Sequence, residues 1–153
     1  MSEVTRVYAG RLAGMVVRGP ETDVIGRVRD VVVNVRPAGH QSRVLGLVVE
    51  MTNKRRIFLP MLRIASIDPH EIMLVSGSVS LRAFKPRTGE LTIMGDIIGA
   101  KVQVDDPDLP KIHAKPVEVA DIEIERTRTR DWAISAVAVI SERANIGRRT
   151  DII

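Results

Sequence analysis

Three histidines, His40, His70 and His113, are the side chains of this 153-residue sequence that ordinarily titrate near neutrality, and they are the natural candidates for acid–base work. Each stands apart from a partner. His40 sits in a Gly-Ser loop, His70 follows Pro69, and His113 lies in the Pro-bearing stretch 105–114. No serine or carboxylate stands in a motif beside any of them, as a nucleophile, base and orienting group would require. Phosphate loops, dinucleotide fingerprints and HExxH are absent. With no cysteine, disulfides, thiolate zinc sites and thiol nucleophiles are excluded. The sequence therefore predicts no catalytic residue, no cofactor and no enzyme.

Two charged clusters remain. Asp105, Asp106 and Asp108, in "DDPDLP", are the best metal candidates, because hard cations favour clustered carboxylate oxygens. They are weak ones. Two prolines interrupt the run, and the central Gly and closing Glu of a calcium loop are missing, so a solvated turn is the simpler account. Lys54, Arg55 and Arg56, in "TNKRR", form a candidate surface for a partner or for nucleic acid through salt-dependent phosphate attraction. "ERTRTR" (125–130) and "GRRT" (147–150) carry further cations. A single-strand reader also needs stacking rings, and only Tyr8, Phe58, Phe84 and Trp132 are available. Trp132 opens an Ala/Ile/Val strand and reads as a packing residue.

Stepping from these residues to the elements that carry them, the β-branched runs 24–39, 42–51, 55–60 and 71–81 predict strands, with a short helix or turn at 60–66. Thr52 and Asn53 supply turn chemistry for a hairpin whose tip Lys54 to Arg56 keep wet. Short strands punctuated by Gly, Pro, Asn and Asp predict an all-β fold. After "FKPRTGE" (84–90) the pattern restarts. "LAGMVV" (12–17) answers "IIGAKVQV" (97–104), aligning Gly14 with Gly99, and "RDVVVNV" (29–35) answers "ADIEIE" (120–125), aligning Asp30 with Asp121. "VLGLVVEM" (44–51) answers "AISAVAVI" (133–140), setting Gly46 against Ser135. The expectation is two copies of one β unit, over 1–85 and 86–153, the second degenerate and without an equivalent of "RRIFLP".

In the order "LAGMVV", "DVIGRVRDVVVNV", "RVLGLVVEM", "RRIFLP" and "IASID", the chain resembles the PRC-barrel family over residues 8–80. The resemblance implies two small PRC-type β-barrels in tandem with short helical turns. "GELTIMGDIIGAKVQV" and "DWAISAVAV" in the second copy look like the N-terminal region of MgtE-like magnesium transporter-related proteins. That implies a non-enzymatic interaction or assembly module, docking a protein partner or the downstream domains of a longer chain, with a homodimer compatible with the incomplete second copy. The alternative it implies is a RimM-like module for RNA–protein assembly on the ribosome.

Charge is uneven: residues 1–84 hold 12 Lys/Arg against 7 Asp/Glu, and residues 85–153 hold 11 against 12. Many arginines alternate with valines on predicted strands, as a solvated sheet face requires. No charged n-region followed by an apolar h-region opens the chain, and no apolar run approaches the roughly 20 residues of a spanning helix. The expected location is cytoplasmic, peripheral to a membrane only through a partner, with no direct insertion.

Overall fold

The computed structural model describes residues 3–36, 40–76, 82–102, 116–140 and 148–151. In chain order these form β1 (Arg6–Tyr8), the single helical turn α1 (Ala9–Leu12), β2 (Val16–Arg18), β3 (Val24–Asn34), β4 (Arg43–Met51) and β5 (Arg56–Pro60). A 3₁₀ turn (Met61–Arg63), β6 (Ile64–Ile67), β7 (Glu71–Leu74), β8 (Glu90–Thr92) and a π-helical turn (Ile93–Ile97) follow. The chain continues through β9 (Lys101–Val102), β10 (Val117–Arg126), β11 (Trp132–Ile140) and β12 (Arg148–Asp151).

The twelve strands among the described residues share one sheet, whose path runs β1-β10-β11-β4-β3-β2-β7-β6, with β12 on β11, β5 on β4, β8 on β3 and β9 on β10. This corrects the expectation of two tandem PRC-type barrels: the chain is mostly β, but it forms one continuous curled half-barrel sheet. The reason lies in the strands that lead into each half. β1 pairs with β10 and β8 pairs with β3, so each half lends its opening strand to the other and neither closes on itself. A single buried cluster accordingly mixes Val7, Ala9 and Leu12 with Val31, Leu47, Ile122 and Val137.

The long strands show how the exchange is built. In β3, Val28 is buried and then Val31 and Val33; in β10, Val119 is buried and then Ile122 and Ile124. Strict alternation would bury residues 30 and 121 instead. A β-bulge between Val28 and Asp30, matched by one between Val119 and Asp121, shifts the phase by one residue and returns the apolar set to the core. The aspartate beside each bulge then reaches the other half. Asp30 Oδ1 accepts hydrogen bonds from Val31 N and Met94 N, both at 2.8 Å, and its Oδ2 accepts from Gly95 N at 3.0 Å. Asp121 Oδ1 accepts from Ile122 N at 2.8 Å and from Gly10 N at 3.0 Å. Each carboxylate thus satisfies amides of a short helical turn that has no side-chain cap of its own.

The same backbone bonds recur after each turn. Gly14 N donates to Val28 O and Gly99 N to Val119 O, both at 2.8 Å, with Gly14 and Gly99 at φ +81° and +89°. That left-handed conformation is one glycine adopts without steric cost. "RRIFLP" also has a counterpart, against expectation. Phe58 pairs with Val48, two residues past Gly46, and Asp151 pairs with Val137, two residues past Ser135, so "RRTD" (148–151) occupies the place of "RRIF". Its polar Thr and Asp hid the equivalence.

Candidate interaction surface

The site is built where one end of the sheet meets the β10–β11 hairpin. β6 is the terminal strand of the sheet path and, among the described residues, pairs with β7 alone. On its free side, among the described residues, one backbone bond is made, from Val4 N to Ile67 O at 2.7 Å. Between this edge and the hairpin lies a shallow depression lined by Met61, Ile64, Ala65, Arg126, Arg130 and Trp132, among others. Its volume, about 50 Å³, is far below the roughly 300 Å³ at which small-molecule sites begin.

Sequence chemistry explains each wall. Pro60 ends β5, and the 3₁₀ turn after it throws Leu62 outward, 91% exposed, while Met61 and Ile64 stay half-buried. Burying a leucine stabilises by about 1.5–3 kcal/mol, so a fully exposed one is a ready anchor. Opposite it, Thr127 N donates to Asp131 O at 2.6 Å and Arg130 N to Thr127 O at 3.0 Å, closing a tight hairpin with Arg130 at φ +65°. Lys54 and Thr22 hold the same position in hairpins of the same pattern. Trp132, 7% exposed, follows as the apolar floor.

Electrostatically the rim is basic. Arg126 pairs with Glu3 across the depression, whereas Arg63, Arg128 and Arg130 make no ion pair among the described residues. The sequence reading missed Leu62 and its neighbours. In "PMLRIAS" the apolar residues are too few for periodicity to say which point outward.

The charged candidates are dispersed. Lys54 and Arg55 are exposed at the β4–β5 hairpin tip, where Asn53 Oδ1 accepts from Arg55 N at 3.0 Å and Met51 N donates to Arg55 O at 2.8 Å. Arg56 turns back to Glu50, Nε to Oε1 at 3.3 Å, and Arg29 Nη2 lies 3.2 Å from the other carboxylate oxygen. Arg56 is thus engaged by a carboxylate, while Lys54 and Arg55 make no ion pair among the described residues. Phe58 and Phe84 stack with centroids 6.3 Å apart. Asp105, Asp106, Asp108 and His113 lie outside the described residues, while His40 and His70 are exposed. Among the described residues no three His, Cys, Asp or Glu side chains gather as metal ligands.

Hydrogen bonds from Arg56 first, then Arg29, hold the Glu50 carboxyl below the ordinary carboxylate range. A depressed folded-state value contributes stability that is present above the unfolded value, about 4.3, and is lost as pH falls through the folded one. Glu50→Gln is expected to flatten the acid limb of stability below about pH 5. Urea midpoints measured from pH 7 to pH 3 check this; parallel profiles for the two proteins would count against it.

Comparison with known families matches the second part of the chain. Residues 91–153, from β8 through the β10–β11 hairpin, match a family model described as "Actinomycetes SH3 domain". No curated protein matches the chain. The match spans less than half of the chain, and it overturns the PRC-barrel resemblance together with the MgtE-like magnesium-transport role and the RimM-like alternative that rested on it. The confusion has a physical source. Short strands joined by Gly-centred turns specify a small curled sheet, and several barrel families share that requirement. SH3-type domains are non-catalytic interaction modules that mediate protein–protein contacts, which agrees with the non-enzymatic reading. Among the described residues no helix is long and apolar enough to cross a membrane.

Proposed function

We propose that this chain is a non-enzymatic protein-interaction module, SH3-like over residues 91–153, that docks a partner polypeptide across the depression between β6 and the β10–β11 hairpin. The observation that carries this is Leu62, 91% exposed between Met61 and Ile64 of a depression that Trp132 and Arg130 also line, Arg130 having no ion pair among the described residues. Such a fully exposed leucine contributes nothing to the core, and an apolar anchor ringed by polar groups is the anatomy of an interface centre.

Selection from a random peptide display library tests it. Enriched peptides should bind the wild-type protein and lose at least about tenfold in affinity to Leu62→Asp, since removing one buried leucine costs more than 1.4 kcal/mol. The variant should melt with the wild type. Failure to enrich any ligand, or ligands that bind Leu62→Asp equally well, would overturn the assignment.

A further inference from the structure

Resting on that docking reading, we infer that β6 receives its partner as an added strand, and that the partner is an extended peptide alternating acidic with apolar residues. The first ground is the edge. β6 ends the sheet path, Val4 bonds its Ile67 end, and along Ile64–Ser66 no described strand pairs with its outer side. An open edge is a template for strand addition unless it is blunted. A β-bulge between Ile64 and Ser66 leaves Ala65 exposed at the centre of that edge.

The second ground is the lining. Polyproline ligands need grooves walled by several rings, and this depression has one, Trp132, only 7% exposed. It cannot grip by stacking. A strand, by contrast, takes affinity from main-chain hydrogen bonds and specificity from alternate side chains, which matches a wall of Met61 and Ile64, with Leu62 exposed between them in sequence, next to cations.

The third ground is charge complementarity. Arg63 follows the exposed leucine, while Arg128 and Arg130 stand on the facing hairpin, and none has an ion-pair partner among the described residues. Glu3 answers Arg126 alone. Carboxylates on one face of the added strand would meet the remaining guanidinium groups in the charge-assisted geometry arginine favours.

The test uses the full chain and four synthetic nine-residue peptides: one alternating Val with Glu, one alternating Val with Lys, and the Glu peptide N-methylated at every second amide in each of the two possible frames. Nuclear magnetic resonance titration should show the Glu peptide shifting Ile64, Ala65 and Trp132 and slowing amide exchange at Ala65. The Lys peptide should bind at least about tenfold more weakly, and one of the two methylation frames should abolish binding. Arg130→Gly provides a variant that relieves the positive φ instead of straining the fold, so it should be at least as stable as wild type while losing about fivefold in affinity for the Glu peptide.

If both methylated frames bind like the parent, or the Lys peptide binds as tightly, strand addition by an acidic partner is wrong. Display-selected ligands that still depend on Leu62 would then leave the docking face standing. If the Glu peptide shifts residues only elsewhere on the sheet, the edge assignment is likewise overturned, and loss of Leu62 dependence in the selected ligands would remove both readings.

Discussion

Replacing Asp30 by alanine is expected to lower the unfolding free energy by about 3 kcal/mol, and Asp121→Ala by about 2 kcal/mol, because charge-assisted hydrogen bonds are lost and amides are left without acceptors. Asp30 receives three backbone donors and Asp121 two, which sets the order of the effects. The consequence is not confined to the site of change. Asp30 lies on β3, yet Met94 and Gly95 belong to the turn that follows β8; Asp121 lies on β10, yet Gly10 belongs to α1 after β1. Each carboxylate therefore ties one half of the chain to the other. Urea unfolding gives the loss of stability, and hydrogen exchange locates it. Amides of Met94 and Gly95 should lose protection in Asp30→Ala, and that of Gly10 in Asp121→Ala. A cost below about 0.5 kcal/mol for Asp30→Ala, the range of an ordinary surface substitution, would show that the exchange is held by packing alone.

Gly46→Ala is expected to cost about 3 kcal/mol or more, the upper range for overpacking in a well-filled core. A methyl group there would lie 2.3 Å from the carbonyl oxygen of Leu59 and 2.7 Å from two ring atoms of Phe58. One obstacle is backbone, so β4 and β5 would have to part where Gly46 pairs with Pro60 and Leu47 with Leu59. Gly14→Ala makes the useful control. At Gly14 no atom lies within 4 Å of the added carbon, and only the φ of +81° opposes it, a conformational penalty of about 1 kcal/mol. Thermal or urea unfolding of the two variants should separate the steric from the conformational cost. Equal losses would sink the claim that close strand approach is what demands Gly46.

Much of the strand content was legible because the residues that set it act locally. β-Branched runs and Pro or Gly punctuation located β3, β4, β5 and β7, and Thr52 with Asn53 located the hairpin before Arg56. The alignment of Gly14 with Gly99 and Asp30 with Asp121 was visible too, since positive φ and turn amides that need an acceptor restrict which residues fit. Strand ends were less legible. The strand expected over 71–81 stops at Leu74, and residues 77–81 lie outside the described residues.

The candidate surface was scarcely legible at all. Lys54, Arg55 and Arg56 attract attention as neighbours in sequence, but Arg56 is drawn to Glu50 by the pairing of β4 with β5. Arg130 and Ile64 are 66 positions apart in numbering and are brought to one depression only by the curl of the sheet.

What the sequence by itself determined was an all-β chain without cysteine chemistry, carrying twice a glycine turn and an aspartate strand, because backbone conformation and side-chain inventory are local properties. Which half receives each aspartate's partner, whether the strands close into two barrels or one sheet, and which edge is left open were decided only by tertiary structure. Those outcomes depend on long-range strand pairing, where β1 chooses β10 and β8 chooses β3, and a local pattern carries no record of the partner.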